Sequence, residues 1–202
     1  MKSTSEKSPS FVTVVSGLPR SGTSMMMQML DAGGLPALTD NIRQADEDNP
    51  RGYYEFEAVK QLESDSSWVN NAGGKVVKMV YRLLYDLPTG HNYRVVFMLR
   101  DLSEVLASQG VMLERHGKAD DSVDDEQIKQ IYRRQLDDVR KWLADQPNFS
   151  VLYVDYHQVL NDSKQVAGDL NAFLGGDLDV QAMVAVPDAQ LYRQRVGSGQ
   201  PR

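Results

Sequence analysis

A short segment near the start of the chain carries the residue types that hold a phosphate or sulfate group. It runs from Gly17 to Ser24 and reads GLPRSGTS, with one glycine at its start and another at its sixth position. Glycines let the chain curl so that successive backbone N–H groups point inward, toward an anion. An apolar stretch precedes the segment and a helical pattern follows it, so the helix N-terminus adds positive potential. We therefore expect an anion-binding loop here.

Three side chains add chemistry to this loop. Thr23 and Ser24 can donate hydroxyl hydrogen bonds to the oxygens of the anion, and Arg20 brings a guanidinium group. The phosphate loop of ATPases and GTPases reads G-x-x-x-x-G-K-S/T, and Thr23 stands at its lysine position. The missing lysine argues against both of those classes. Arg20 instead supplies a cation within the loop itself, where a guanidinium can grip the oxygens of a bound anion.

A second cation and hydroxyl pair follows later in the chain. Arg100 ends the apolar stretch RVVFMLR, and Ser108 lies eight residues further on, in DLSEVLAS. Eight residues are just over two helical turns, so Ser108 can lie back toward the end of the strand and share an anion with Arg100. Taken alone, the pair fits an anion site no better than the alternative, in which Arg100 forms a surface salt bridge and Ser108 is an ordinary buried serine of a helix.

Together these motifs resemble those of sulfotransferases that use 3′-phosphoadenosine 5′-phosphosulfate (PAPS). GLPRSGTS is similar to the family's 5′-phosphosulfate loop, in its bacterial and carbohydrate-type branch, and RDLSEVLAS is similar to its 3′-phosphate motif. The resemblance implies PAPS as the cofactor, adenosine 3′,5′-bisphosphate (PAP) as its product, and no required metal. It implies that the cofactor is bound by Gly17, Pro19, Arg20, Ser21, Gly22, Thr23, Ser24, Arg100, Ser108, Arg193 and Arg195.

The two arginines near the end of the chain carry the weakest part of this expectation. Arg193 and Arg195, in LYRQR, stand where the family often places late basic residues over the cofactor. A solvated basic tail is the alternative interpretation of both residues.

Sulfuryl transfer also needs a base for the proton of the acceptor. Cytosolic small-molecule members of the family use a histidine two residues after a lysine; Lys78 matches that lysine, but Val80 replaces the histidine. Other members use a glutamate, and NPRGYYEFE is similar to a bacterial N-P-x-G-Y/F-x-E segment, which points to Glu55. The resemblance thus implies Arg20, Glu55 and Lys78 as catalytic residues, with Glu57 as the second candidate base. A first-turn helical glutamate and an edge-strand lysine are the alternatives for Glu55 and Lys78.

Alternating strands and helices must position these residues. Hydrophobic patterns predict strands at 11–15, 75–80, 94–99 and 150–154, and helices at 23–30, 54–64, 101–116, 125–144 and 166–174. Such alternation predicts an α/β three-layer sandwich, with a mainly parallel sheet of about four to five strands flanked by helices, as in P-loop NTPases. Residues 1–10 are polar, lack the apolar stretch of a signal peptide, and are expected to be a disordered tail. Residues 11–202 are expected to form one sulfotransferase domain.

Composition narrows the function further. The chain has 202 residues, a net charge of −6 and no cysteine, so it has no thiolate metal site and no cysteine nucleophile. The acidic balance disfavours a nucleic-acid partner, no apolar run is long enough to span a membrane, and we expect a cytoplasmic protein. No histidine has metal-ligand spacing with another, and we expect no metal site.

The identity of the acceptor does not follow from the sequence. We expect a hydroxyl or amine on a small molecule, a carbohydrate or a peptide. The chain is short for the family, so the acceptor pocket is either open or completed by a second subunit of a homodimer. Two other classes stay open: a nucleoside or small-molecule kinase using ATP and Mg²⁺, which calls for a lysine at position 23, and a non-catalytic nucleotide-binding homologue.

Overall fold

Four parallel strands form the central sheet of the computed structural model, which describes residues 11–40, 42, 45–46, 49, 52–117 and 124–188. The strands are β1 (Phe11–Gly17), β2 (Val76–Lys78), β3 (Asn92–Leu99) and β4 (Phe149–Asp155). Their order is β2-β1-β3-β4, so β1 pairs with both β2 and β3. Because all strands are parallel, their carboxyl ends meet at one edge, where ligands bind in open α/β sheets.

In the described part of the chain, six α-helices and three short 3₁₀ helices connect and cover the strands. The α-helices are α1 (Thr23–Ala32), α2 (Leu102–Arg115), α3 (Asp125–Asp145), α4 (Tyr156–Asn161), α5 (Ser163–Leu174) and α6 (Val180–Val184). The 3₁₀ helices span Glu57–Gln61, Ser67–Asn71 and Tyr81–Asp86. None of the helices among the described residues has the length and apolar character needed to cross a membrane.

Two hydrophobic cores lie on opposite faces of the sheet. Val14 and Phe97 face a core that includes side chains of α2 and α3, whereas Val15 and Met98 face a core built with α1, α4, α5 and α6. The alternation follows the two-residue period of a strand. Each fully buried apolar side chain stabilises the fold by about 1.5–3 kcal/mol, so both layers of helices hold the sheet firmly. The predicted three-layer α/β sandwich is confirmed, with four strands.

One predicted helix is wrong. The pattern predicts a helix over residues 54–64, but the chain has no regular secondary structure up to Phe56 and then forms only the 3₁₀ helix Glu57–Gln61. Tyr54 has a φ of +53°, in the left-handed region that an α-helix excludes. The carbonyl of Glu55 accepts hydrogen bonds from Thr39 Oγ1 at 3.0 Å and from the N–H of Asp40 at 3.2 Å. Bonds to a distant segment thus replace the bonds of a helical turn.

Candidate active site

The loop between β1 and α1 needs both of its glycines. Gly17 and Gly22 have φ angles of +147° and +98°. A Cβ at Gly17 would lie 2.7 Å from the carbonyl oxygen of Met98, and one at Gly22 would lie 2.5 Å from Cδ2 of Tyr156. The loop therefore packs tightly against the end of β3 and the first residue of α4, at the place where α1 begins.

Ser21 serves the loop itself. Its hydroxyl donates to the carbonyl of Leu18 at 2.7 Å, and its N–H donates to the same carbonyl at 3.2 Å. Both polar groups therefore close the turn, and Ser21 is buried away from the main cavity that the loop borders. Its predicted contact with a cofactor stays a prediction.

A cavity of about 540 Å³ opens at the carboxyl edge of the sheet, beside this loop. The other predicted site residues that the structure describes all line it. They are Gly17, Pro19, Arg20, Gly22, Thr23, Ser24, Glu55, Lys78, Arg100 and Ser108. Arg193 and Arg195 lie outside the described residues. Residues far apart in the chain thus converge here because the ends of β1, β2 and β3 are neighbours.

Hydrogen bonds connect the two anion motifs directly. Arg20 Nε donates to Oγ of Ser108 at 3.0 Å, across 88 residues of sequence. Arg100 in turn donates from a terminal guanidinium nitrogen to the carbonyl of Arg20 at 3.0 Å. Arg20 has a φ of +67°, a conformation that non-glycine residues seldom adopt and that is common at functional sites. The motifs therefore form one continuous cationic site.

Arg100 is held in place on several sides. Its Nε donates to Oε2 of Glu104 at 3.0 Å, and the two side chains are only 7% and 2% exposed. Its guanidinium lies 4.2 Å from the ring centroid of Tyr156, a cation–π distance. Burial is the main cause that raises the pKa of Tyr156, so its ring is a neutral platform at physiological pH. Nε2 of His157 lies 3.3 Å from the same Glu104 oxygen.

Sequence reasoning missed the residues that surround this guanidinium, which are Glu104, Tyr156 and, next to Glu104, His157. Glu104 follows Arg100 by four residues, the spacing of a helical ion pair, and this signal was present in the sequence. Tyr156 and His157 carried no comparable signal, because only the pairing of β3 with β4 brings α4 next to Arg100.

Lys78 points into the loop side of the cavity. Its Nζ lies 3.3 Å from Oγ of Ser24 and also donates to the carbonyl of Tyr53. The hydroxyl of Ser24 lies 3.4 Å from that same carbonyl. β2 is an edge strand, but the ammonium group at its end is tied to the anion loop and lies at the cavity wall.

The two candidate bases differ in position. Glu55 lines the cavity, whereas Glu57 does not and instead forms an ion pair with Lys60 at 2.6 Å. The backbone around both is anchored by Asp40, whose carboxylate accepts a hydrogen bond from the N–H of Glu57 at 2.6 Å. That bond is the main cause that holds the pKa of Asp40 below its usual value, and a bond from the N–H of Ile42 adds to it. The geometry thus favours Glu55 as the group that can meet an acceptor.

The rest of the cavity wall is largely apolar. Most of its apolar residues come from the 53–61 segment, from the chain after β2 and from α2, and Leu18, Met25 and Val186 add to them from elsewhere. The residues of the first three segments include Phe56, Val59, Met79, Val80, Leu83, Val111 and Met112. On α2, Val111 and Met112 follow Ser108 by three and four residues, so all three lie on one helical face. The cavity therefore combines a cationic end with an apolar end.

Among the residues that the structure describes, no group of three or more His, Asp or Glu side chains is arranged to hold a metal ion. The basic side chains that line the cavity are Arg20, Lys78 and Arg100 around the loop and strand ends, together with Lys60 and Arg115 beside the apolar wall.

Comparisons with known proteins agree with this geometry. A profile of the sulfotransferase domain matches residues 12–190. The sulfotransferase domain of the Synechococcus PCC 7002 olefin synthase is 16% identical, with a TM-score of 0.51; the match covers 99% of this chain and 84% of that one. A sulfotransferase from Alicyclobacillus acidocaldarius is 16% identical, with a TM-score of 0.48 and coverage of 94% and 87%.

A third solved structure is mouse sulfotransferase SULT7A1 complexed with PAP. It is 14% identical, with a TM-score of 0.49, and the match covers 92% of this chain but only 63% of the mouse protein. A search of curated protein sequences finds no significant match. The structural likeness at such low identity concerns the fold, whereas the profile matches most of the chain. The chain therefore belongs to the sulfotransferase domain family.

Proposed function

We propose that the chain transfers a sulfuryl group from PAPS to a hydroxyl or amine of a small acceptor, with Glu55 as the base. The observation that carries the proposal is the convergence of Arg20, Arg100 and Ser108 at one end of a cavity that Glu55 and Lys78 also line. PAPS carries phosphate on both sides of its ribose, and the chain offers two anion-binding motifs on neighbouring strands. When bound, PAPS would supply the sulfuryl group and the PAP leaving group.

The residues at the loop fit the 5′ end of such a nucleotide. The glycines at positions 17 and 22 hold the loop close against Met98 and Tyr156, and Thr23 begins α1, whose positive dipole end would face the anion. Arg20 and Lys78 would neutralise charge that develops on the sulfuryl oxygens and on the bridging oxygen. Arg20 contacts Ser108 in this structure, so this role requires its guanidinium to turn toward the loop once Ser108 contacts a phosphate.

The residues at the end of β3 fit the 3′-phosphate. Arg100 and Ser108 both line the cavity, and Arg100 is a buried, oriented guanidinium, the group best suited to grip phosphate. Glu55 lines the same cavity and would accept the proton of the acceptor. The new oxygen–sulfur or nitrogen–sulfur bond would form as the bond between sulfur and the bridging phosphate oxygen breaks.

The apolar end of the cavity suggests the kind of acceptor. Val59 and Met79 are buried, and Val80, although 42% exposed, faces the same space where other members carry their histidine. Such a wall can pack against the apolar body of a small acceptor, and Gln28, Lys60 and Arg115 in the same lining can hydrogen-bond its polar substituents. A cytoplasmic location and a homodimer stay predictions.

Calorimetry with PAP, AMP and ATP tests the cofactor assignment. We expect PAP to bind at least about 10-fold more tightly than AMP, because a charge-assisted contact to its 3′-phosphate contributes about 1.5–3 kcal/mol. Equal affinities for PAP and AMP would overturn the proposal. A preference for ATP with Mg²⁺ would favour the kinase alternative, which the match to the sulfotransferase domain supports less. PAPS turnover with a panel of phenols, alkyl alcohols and sugars then tests catalysis; PAP binding without turnover of any acceptor would favour a non-catalytic homologue.

A further inference from the structure

Next to Arg100 lies a buried carboxylate, that of Glu104, with a donor from each of two residues. Oε2 of Glu104 is 3.0 Å from Nε of Arg100 and 3.3 Å from Nε2 of His157. The three residues come from three different elements: Arg100 directly follows β3, Glu104 lies in the first turn of α2, and His157 lies at the start of α4. Three elements that meet on one carboxylate oxygen fix the position of that oxygen.

The burial of Glu104 gives this contact its energetic weight. Its side chain is 2% exposed, and a buried carboxylate is costly unless donors satisfy it. Arg100 supplies one donor through Nε, and His157 can supply another through its Nε2–H. His157 therefore limits the positions that the carboxylate can take, and the carboxylate limits those of Arg100.

The orientation of Arg100 depends on these contacts. A guanidinium is planar, and its nitrogens donate in fixed directions. The ring of Tyr156 packs against the group, a carboxylate oxygen of Glu104 accepts from Nε, and the carbonyl of Arg20 accepts from one terminal nitrogen. With the stem held at Nε, the terminal end of the guanidinium is directed toward the loop and the cavity. Without Glu104, a rotation about the stem would redirect it.

We propose that Glu104 and His157 are positioning residues, which orient Arg100 for the 3′-phosphate of the cofactor, His157 acting through Glu104. This inference rests on the proposed PAP site. His157 itself is 38% exposed and lines a second cavity, of about 350 Å³, with Leu136 and Arg140. It is not one of the side chains that line the main cavity, and it reaches the surroundings of Arg100 through Glu104 and through a ring contact with Tyr156, centroids 6.0 Å apart. A phenylalanine at position 157 keeps a ring beside Tyr156 and removes only the hydrogen bond to Glu104, so that variant isolates the route through Glu104.

The test compares PAP with AMP, which lacks the 3′-phosphate, by calorimetry on the full chain. The ratio of the two affinities isolates the 3′-phosphate contact. In His157→Phe we expect the ratio to fall about 3- to 10-fold, since one hydrogen bond to a charged group is lost, and in Glu104→Gln about 10-fold or more. His157→Gln keeps an N–H donor and should restore much of the ratio. In steady-state assays KM for PAPS should rise while kcat changes little.

Two matched variants serve as controls. His91→Phe removes a histidine that lies just before β3, at the opposite edge of the sheet, and Glu114→Gln neutralises an exposed glutamate of the same helix as Glu104. Neither should change the ratio of PAP to AMP affinity. Thermal melting of each variant separates a loss of fold from a loss of orientation.

The possible results separate this inference from the proposed function. No preference for PAP over AMP in the unsubstituted chain would remove the proposed function itself. A clear preference that persists in both His157→Phe and Glu104→Gln would overturn the positioning role alone. A tighter PAP affinity in Glu104→Gln would also overturn it, because Glu104 would then act only as a competing negative charge. If Glu104→Gln does not fold, His157→Phe decides, since its side chain is partly exposed.

Discussion

Arg20 Nε and Ser108 Oγ are joined by a 3.0 Å hydrogen bond, which couples the loop after β1 to the middle of α2. The sequence assigns these residues to opposite ends of the cofactor, yet they are in contact. A 3′-phosphate held by Ser108 would compete with Arg20 for this hydroxyl. Binding of the 3′ end of the cofactor can therefore release the guanidinium of Arg20 to act at the 5′ end. The coupling motivates the first prediction.

Replacement of Arg20 by alanine should affect turnover far more than binding. We expect kcat to fall about 100-fold or more, since preorganised charge at a leaving group contributes several kcal/mol to catalysis. The dissociation constant of PAP, which lacks the sulfuryl group, should change only a few-fold. Stopped-flow or coupled assays give kcat and calorimetry gives the affinity. Equal losses in both quantities would contradict the assignment of Arg20 to the leaving group.

Replacement of Arg100 by alanine should have the opposite profile. Loss of a charge-assisted contact should weaken PAP about 10- to 100-fold and leave AMP affinity nearly unchanged. Because Glu104 would then be buried without its main partner, the melting temperature should also fall. Binding is therefore measured at a temperature where the variant is folded. A uniform loss for PAP and AMP would place Arg100 away from the 3′-phosphate.

Glu55→Gln should remove activity while sparing the cofactor. The amide keeps the size of the side chain but cannot accept a proton from the acceptor, so kcat should fall at least about 100-fold. PAP affinity should stay within about two-fold, well under the effect of one hydrogen bond. Glu57→Gln is the matched control, because Glu57 lies two residues away and pairs with Lys60. An active Glu55→Gln enzyme would move the base elsewhere.

Gly22→Ala should destabilise the loop more than an ordinary glycine replacement. Both Gly22 and Gly34 have left-handed φ angles, +98° and +94°, so alanine costs about 1–2 kcal/mol of backbone strain at either. Gly34→Ala is the matched control, because nothing lies within 4 Å of a Cβ at position 34. In Gly22→Ala the new Cβ would also meet the ring of Tyr156, at 2.5 Å. Denaturant unfolding should therefore show a larger loss for Gly22→Ala. Equal losses would indicate that Tyr156 can move aside.

Asp40→Ala should lower stability in a pH-dependent way. The N–H of Glu57 lowers the pKa of Asp40 in the folded chain, so the charged carboxylate stabilises the fold above its ordinary pKa of about 4. That contribution disappears as the pH falls through the lower pKa of the folded state. The difference in melting temperature between Asp40→Ala and the unsubstituted chain should thus shrink toward pH 3. A difference that is constant with pH would show that the carboxylate charge is not involved.

Local patterns in the sequence predicted much of the candidate site. The anion loop is a contiguous run of eight residues between a strand and a helix, and the Arg100–Ser108 spacing lies within one strand end and one helix. Short-range spacing of this kind is readable because adjacent residues in a known element have fixed relative positions. The strand pattern likewise predicted the parallel sheet, since buried parallel strands are apolar on both faces.

Only the tertiary structure decided which distant segments meet. The contact between Arg20 and Ser108 depends on β1 lying next to β3, and the contact between His157 and Glu104 depends on β4 lying next to β3. The irregular chain around Glu55 depends on hydrogen bonds from Thr39 and Asp40, which a local helical pattern cannot reveal. Strand order and packing between elements are set by the burial of the whole sheet, so no local stretch of sequence encodes them alone.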